Sequence, residues 1–153
     1  MHAKTIQKYS DKSYKKLHER AKHYFHKWIR LRDTDENGIG YCSSSGSRLM
    51  YGNKNTQAGH FYPAGKYKAL EFDEDNVHLQ SLSDNYFGHG NLAPYSLKLK
   101  AKIGVDRFET LQRKALQSKR TIFKEDRFLM IDIIEKYKAK CKELAKEKMF
   151  EVK

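Results

Sequence analysis

The sequence predicts one α+β domain with helical extensions. Three observations lead there: an amphipathic stripe near the start, short apolar segments bounded by Gly, Ser, Asn or Pro in the middle, and a second long stripe at the end. The 153 residues suffice for one domain with a real core and not for two comfortable ones, so residues 1–153 read as a single domain. The richest apolar window, residues 128–134, contains Asp132 and is far short of the ~20 apolar residues that a membrane span needs. No apolar segment follows the basic N-terminus, so no secretory signal is expected and a cytoplasmic location is. Cys42 and Cys141 lie far apart and make no disulfide framework.

From Ser13 onward, Tyr14, Leu17, Ala21, Phe25 and Trp28 recur at steps of three and four, and Tyr24 and Ile29 widen the stripe. That spacing predicts a basic helix over residues 13–32, with Phe25 and Trp28 in the core. Lys15, Lys16, Lys22, Lys27 and Arg30 mark its outer face, where His18, His23 and His26 are expected to meet solvent or phosphate. The first dozen residues are polar and expected to fray. Asp33, Asp35, Asn37 and Gly38 imitate the opening of an EF-hand loop, but its twelfth position is Ser44 rather than a bidentate Glu, so an Asx-type turn is the better description. Short strands are expected at 39–42, 48–51, 57–61 and 76–80. A helix over 84–103, interrupted at 88–94, is closed by Gly104, and Asp106 can cap another to about residue 116. The last helix runs from about 124 to 148. Its stripe of Met130, Ile134, Tyr137, Cys141 and Leu144 either packs on the body of the protein or forms a short dimer seam.

Charge is unevenly spread. Residues 1–32 carry a net +8, residues 33–96 a net −4, and residues 97–153 a net +8, out of +12 overall. Two basic flanks with interspersed aromatics suit a polyanion, and nucleic acid is the commonest one, although Lys-rich faces also serve simply as solvated helix surface.

The middle holds the chemistry. His60 lies in a predicted strand, Pro63 and Gly65 follow it, Asn76 opens the next strand, and Asn85 and His89 lie four apart, on one face if helical. Phosphodiester hydrolysis needs a base for water and a cation to neutralise developing charge, and a histidine on a strand suits the base. An Asn on the paired strand can hold the region by hydrogen bonds to backbone. Asn85 can equally serve as a helix cap, and His89, between Gly88 and Gly90, can equally sit in a loop.

This order of His60, Pro63, Gly65, Asn76 and Asn85 resembles the HNH endonuclease motif of the ββα-metal class. The resemblance implies a small ββα-metal core over residues 39–103, flanked by the N-terminal helix and a C-terminal helical extension over 106–153. It makes His60 the general base, Asn76 the brace, and Asn85 with His89 the metal side. His78 shares strand parity with Asn76 and is a second-shell group or a further ligand. With Trp28 to Asp33, Asp35 to Gly38, Cys42 to Gly46, Gln57 to Phe61, Glu74 to His78 and His89 to Leu92, the pattern is similar to the phage recombination protein NinG family, over roughly residues 20–110. That resemblance implies a nuclease of branched or single-strand-containing DNA, encoded by a phage or prophage and acting in the bacterial host. Many members hold zinc with two C-x-x-C pairs, but the corresponding positions here are Cys42, Ser45, Ser81 and Asp84, so no structural zinc is expected. Many HNH members place a metal ligand just before the base, where this chain has Gly59. Phosphate and water would complete the shell, which suits Mg²⁺ or Mn²⁺. Arg30, Arg32, Lys66 and Lys68 are the nominated DNA contacts, and a homodimer would bring two active sites to one branch point. The competing expectation, motivated by Gly59 and the missing cysteines, is a non-catalytic nucleic-acid-binding protein on a degenerate scaffold.

Overall fold

The computed structural model describes residues 1–87 and 91–148, without the Phe87 side chain. The chain begins with a short helix, α1 (Ala3–Lys8), where fraying is expected from the sequence. What anchors it is Tyr9, 1% exposed, whose hydroxyl donates to the Glu135 carboxylate, and Arg127, which donates to the Lys12 and Tyr9 carbonyls at 2.5 and 3.2 Å. These partners lie more than a hundred residues away, so local polarity misses them.

Helix α2 (Tyr14–Arg32) starts where the Ser13 hydroxyl accepts the Lys16 amide at 3.3 Å. It buries Leu17, Ala21, Phe25, Trp28, Ile29 and Leu31. Its cover is the last helix of the chain (Arg127–Lys148), which contributes Met130, Ile131, Ile134, Tyr137 and Cys141 to the same core. The Tyr137 ring meets Phe25 and Trp28 at centroid distances of 4.8 and 5.4 Å. Each fully buried large apolar side chain contributes ~1.5–3 kcal/mol, so this helix pair is the main apolar store of the fold. The Met130–Leu144 stripe is therefore covered within the chain and is not free to be a dimer seam. The helices run parallel, because Arg127 meets Lys12 at one end and Lys148 donates to the Leu31 and Thr34 carbonyls at the other.

Asp35 Oδ1 accepts the Asn37 and Ile39 amides, both at 2.9 Å, which makes the expected Asx turn. It delivers the chain into β1 (Ile39–Tyr41), paired antiparallel with β2 (Arg48–Met50). A second antiparallel pair joins β3 (Thr56–His60) to β4 (Val77–Ser81), with Thr56 opposite Ser81 and His60 opposite Val77. This register places Ala58, His60, Val77 and Leu79 on one face and Gln57, Gly59, His78 and Gln80 on the other. Ala58 and Val77 join the α2 core.

After β4 comes a π-helical turn (Ser83–Phe87), then α3 (Leu92–Ile103) and α4 (Val105–Arg120). Tyr95 of α3 donates its hydroxyl to the Gly59 carbonyl at 2.8 Å, which seats α3 on the Gly59 face of the second strand pair. Gly104, at φ +86°, ends α3 and at once starts α4, so Asp106 lies in the first turn of α4 instead of capping it. Tyr95, Leu99, Ile103, Phe108, Leu111 and Ala115 form a second core around Leu70. The final helix, α5, begins at Arg127, because the Asp126 carboxylate accepts the Leu129 amide at 3.0 Å and fixes the start later than 124. The class is α+β, with two two-stranded sheets among helices. No described helix is long and apolar enough to cross a membrane.

Candidate active site

The residues between β3 and β4 form a long loop pinned from inside by one amide. Asn76 is fully buried. Its Oδ1 accepts the Tyr62 amide at 2.8 Å, and its Nδ2 donates to the Tyr62 and Leu70 carbonyls, both at 3.0 Å. The Asn76 side chain is spent on the loop while its carbonyl accepts the Phe61 amide at 2.8 Å, and β4 begins one residue later than expected. His60 is the last residue before this loop. Its Nε2 lies 2.9 Å from the Glu71 carbonyl, and a carbonyl can only accept, so Nε2 carries the proton and Nδ1 is left as an acceptor. Burial pushes the His60 pKa below its ordinary value, against the opposing pull of the Glu71 carbonyl. The imidazole is therefore neutral near pH 7.

Two neighbours of His60 escaped the sequence analysis. His26 of α2 is turned inward, not toward solvent or phosphate, with its ring centroid 5.6 Å from that of His60 and the planes at 66°. Its Nε2 is buried without a hydrogen-bond partner among the described residues. Burial, with His60 adding to it, pushes its pKa down to about 3. Glu71 is 8% exposed, and its carboxylate oxygens lie 2.7 and 2.9 Å from His18 Nε2. The available signal was the eight-residue step from His18 to His26, which sets both on the margin of the α2 stripe.

The nominated metal side is more dispersed. Asn85 is half-buried in the π-helical turn. That turn leaves the strand pair at its Thr56–Ser81 end, whereas His60 stands at the other end, about 13 Å along the strands. His89 lies outside the described residues. His78 is 2% exposed and faces away from His60. Its Nε2 donates to the Asp75 carbonyl at 2.9 Å and its Nδ1 accepts from Arg32 at 2.9 Å, so both ring nitrogens are engaged. Position 59 has no room for a ligand: a Cβ on Gly59 would stand 2.0 Å from Gln80 Oε1 and 2.8 Å from Gln80 Cβ. No group of three His, Cys, Asp or Glu side chains among the described residues could hold a metal ion. His60 and Asn85 alone do not form a cage for a divalent cation.

Cys42, Ser45, Ser81 and Asp84 do meet, as a hydrogen-bonded node. Asp84 Oδ2 accepts from Ser81 Oγ at 2.8 Å and from Cys42 Sγ at 3.2 Å, and the Ser81 amide reaches Cys42 Sγ at 3.3 Å. Burial would raise the Asp84 pKa, but hydrogen bonds from Ser81, Asn91, Cys42 and Ser45 outweigh it and lower the value.

Of the nominated DNA contacts, Arg32 is committed within the protein. It pairs with Asp33 at 2.7 and 3.0 Å and donates to the Glu74 and Val77 carbonyls, each at 2.8 Å. Arg30 is half-buried, whereas Lys66 and Lys68 are exposed.

A family model described as Bacteriophage Lambda NinG protein matches residues 1–147 of the chain. The protein ninG of Enterobacteria phage H19B is 33% identical over 85 residues, which cover 56% of this chain and 39% of that relative. The chain thus matches well under half the length of the curated relative. No solved structure matches.

Proposed function

Since the chain belongs to the bacteriophage lambda NinG family, we propose that it is a phage recombination endonuclease that hydrolyses phosphodiesters of branched or single-strand-containing DNA. The observation that carries this reading is the His60 imidazole, held in one tautomer by the Glu71 carbonyl beside a loop pinned by Asn76. Nδ1 takes the proton of the attacking water, and the backbone hydrogen bond at Nε2 keeps the ring aimed as it becomes charged. His26 closes the α2 side with a second neutral ring, which keeps water away from that flank of His60. The Mg²⁺ or Mn²⁺ expected to neutralise charge on the phosphate would need ligands beyond the described residues, because Asn85 stands at the far end of the strand pair from His60. Lys66 and Lys68 supply backbone contacts that set affinity rather than sequence choice.

The test is cleavage of forked and four-way DNA by the full chain in Mg²⁺ or Mn²⁺. His60→Ala is expected to lose about 10²–10⁴ of the wild-type rate, the worth of a general base. A second reading, DNA binding without catalysis, is favoured by Gly59, where Gln80 leaves no room for a ligand, and by His78, whose ring nitrogens are both engaged. Under that reading wild type and His60→Ala bind alike and neither cuts in either metal.

A further inference from the structure

A cavity of about 340 Å³ lies between the 3₁₀ turn Lys68–Leu70 and the connection from α4 to α5. That volume falls within the ~300–1,000 Å³ of small-ligand sites. Its rim is cationic, with Lys66, Lys68, Lys119 and Lys124, and no carboxylate is among the described residues that line it. Its wall is apolar and open to water: Phe123 is 39% exposed and Ile122 is 85% exposed. Two of the cations rest near aromatic rings, Lys68 Nζ at 5.4 Å from the Phe123 centroid and Lys119 Nζ at 5.2 Å from that of Tyr67. The Ala69 amide donates to Ser118 Oγ at 3.4 Å and ties the two walls together.

Cations beside an exposed ring are the two halves of single-strand recognition: phosphates take the charge, and an unstacked base takes the ring face. A paired duplex offers only the first half, because its base faces are already stacked. An apolar protein segment would fit the wall but leave four ammonium groups without use.

We propose that this groove is a subsite for an unpaired nucleotide of the DNA substrate, with the base against Phe123 and Ile122 and the flanking phosphates on Lys66, Lys68 and Lys119. The assignment rests on reading the chain as a DNA-acting protein, and it gives that reading a preference for unpaired DNA. The placement also connects to His60. The turn carrying Lys68 runs directly into Glu71, whose carbonyl holds the imidazole, so a strand lying in the groove is led along that turn toward His60.

The experiment is equilibrium binding of the full chain, in EDTA, to a labelled fork with single-stranded arms and to a blunt duplex of the same sequence. One arm carries 2-aminopurine. Phe123→Ala is expected to weaken fork binding about tenfold, in line with base–aromatic stacking energies, Ile122→Ser about threefold through lost apolar contact, and both to leave duplex binding within about twofold. Lys119→Ala is expected to reduce the salt slope on both substrates by about one. The 2-aminopurine signal changes on binding wild type and not on binding Phe123→Ala. Ile122 is too exposed for its replacement to unfold the chain, and thermal melting checks Phe123→Ala. Equal loss on fork and duplex, or no loss on either, overturns the subsite. Fork preference through these residues without cleavage in any metal removes the nuclease reading and leaves the subsite. Cleavage with fork binding indifferent to both substitutions does the reverse.

Discussion

His60 and His26 share one dry flank of the protein, and their titration is the most direct handle on the proposed chemistry. A general base works only while neutral, and burial lowers the His60 pKa. The acid limb of the cleavage profile is therefore expected below pH ~6.5, the ordinary histidine value. His26→Ala admits water to that flank, so the limb moves back toward the ordinary value, which single-turnover rates against pH would show. Asp33 offers a separate test of stability. Burial would raise its pKa, but Arg32 and Lys102 beside it outweigh that and hold the carboxyl well below the usual range. Its contribution is present above ~pH 4, the unfolded value, and is lost as pH falls toward the depressed folded value. Asp33→Asn removes the carboxylate charge beside Arg32 and Lys102, and its single carbonyl oxygen cannot serve both Arg32 and the Leu79 amide, bonded at 2.9 Å, so a loss of about 1–3 kcal/mol is expected in urea unfolding at pH 7.

Among the elements, α2 and α5 decide whether the rest stands. Ile134 is fully buried between them, and Ile134→Ala is expected to cost about 2–5 kcal/mol by chemical denaturation. Removal of residues 124–153 uncovers Phe25, Ile29 and Leu31, so the shortened chain is expected to aggregate or lose cooperative melting rather than keep DNA binding. Both stripes were legible in the sequence, because a period of 3.6 survives any tertiary context. So were the Asx turn at Asp35 and the closure at Gly104, which depend on local backbone chemistry. The inward turn of His26 was not legible. Periodicity identifies a face, but His26 stands on its margin, and only the loop carrying Glu71, brought in from far along the chain, makes that margin an interior. Asn76 was legible as a brace from its place in the pattern, whereas the π-helical turn that carries Asn85 has no periodic signature. The commitment of Arg32 to Asp33 and to backbone carbonyls was equally hidden, since an arginine at a helix end reads the same whether it meets phosphate or protein.

The whole molecule carries +12, and its two basic flanks are parts of one body because α2 and α5 lie side by side. The proposed DNA binding would draw on that arrangement, with counterion release setting its salt dependence. With Lys66, Lys68 and Lys119 on phosphates, the slope of log affinity against log salt on duplex is expected to be about −3 by anisotropy across a KCl series. A flat line would remove the backbone contacts from the proposal.

The clasp of Lys148 on the last carbonyls of α2 sets an order of events during synthesis. The ribosome makes α2 early and its covering helix late, so at ordinary elongation rates an oily strip stays bare for on the order of ten seconds. Nascent chains of this protein should therefore depend on holding chaperones until α5 emerges, and a frameshift upstream of α5 would yield insoluble material rather than a smaller folded protein.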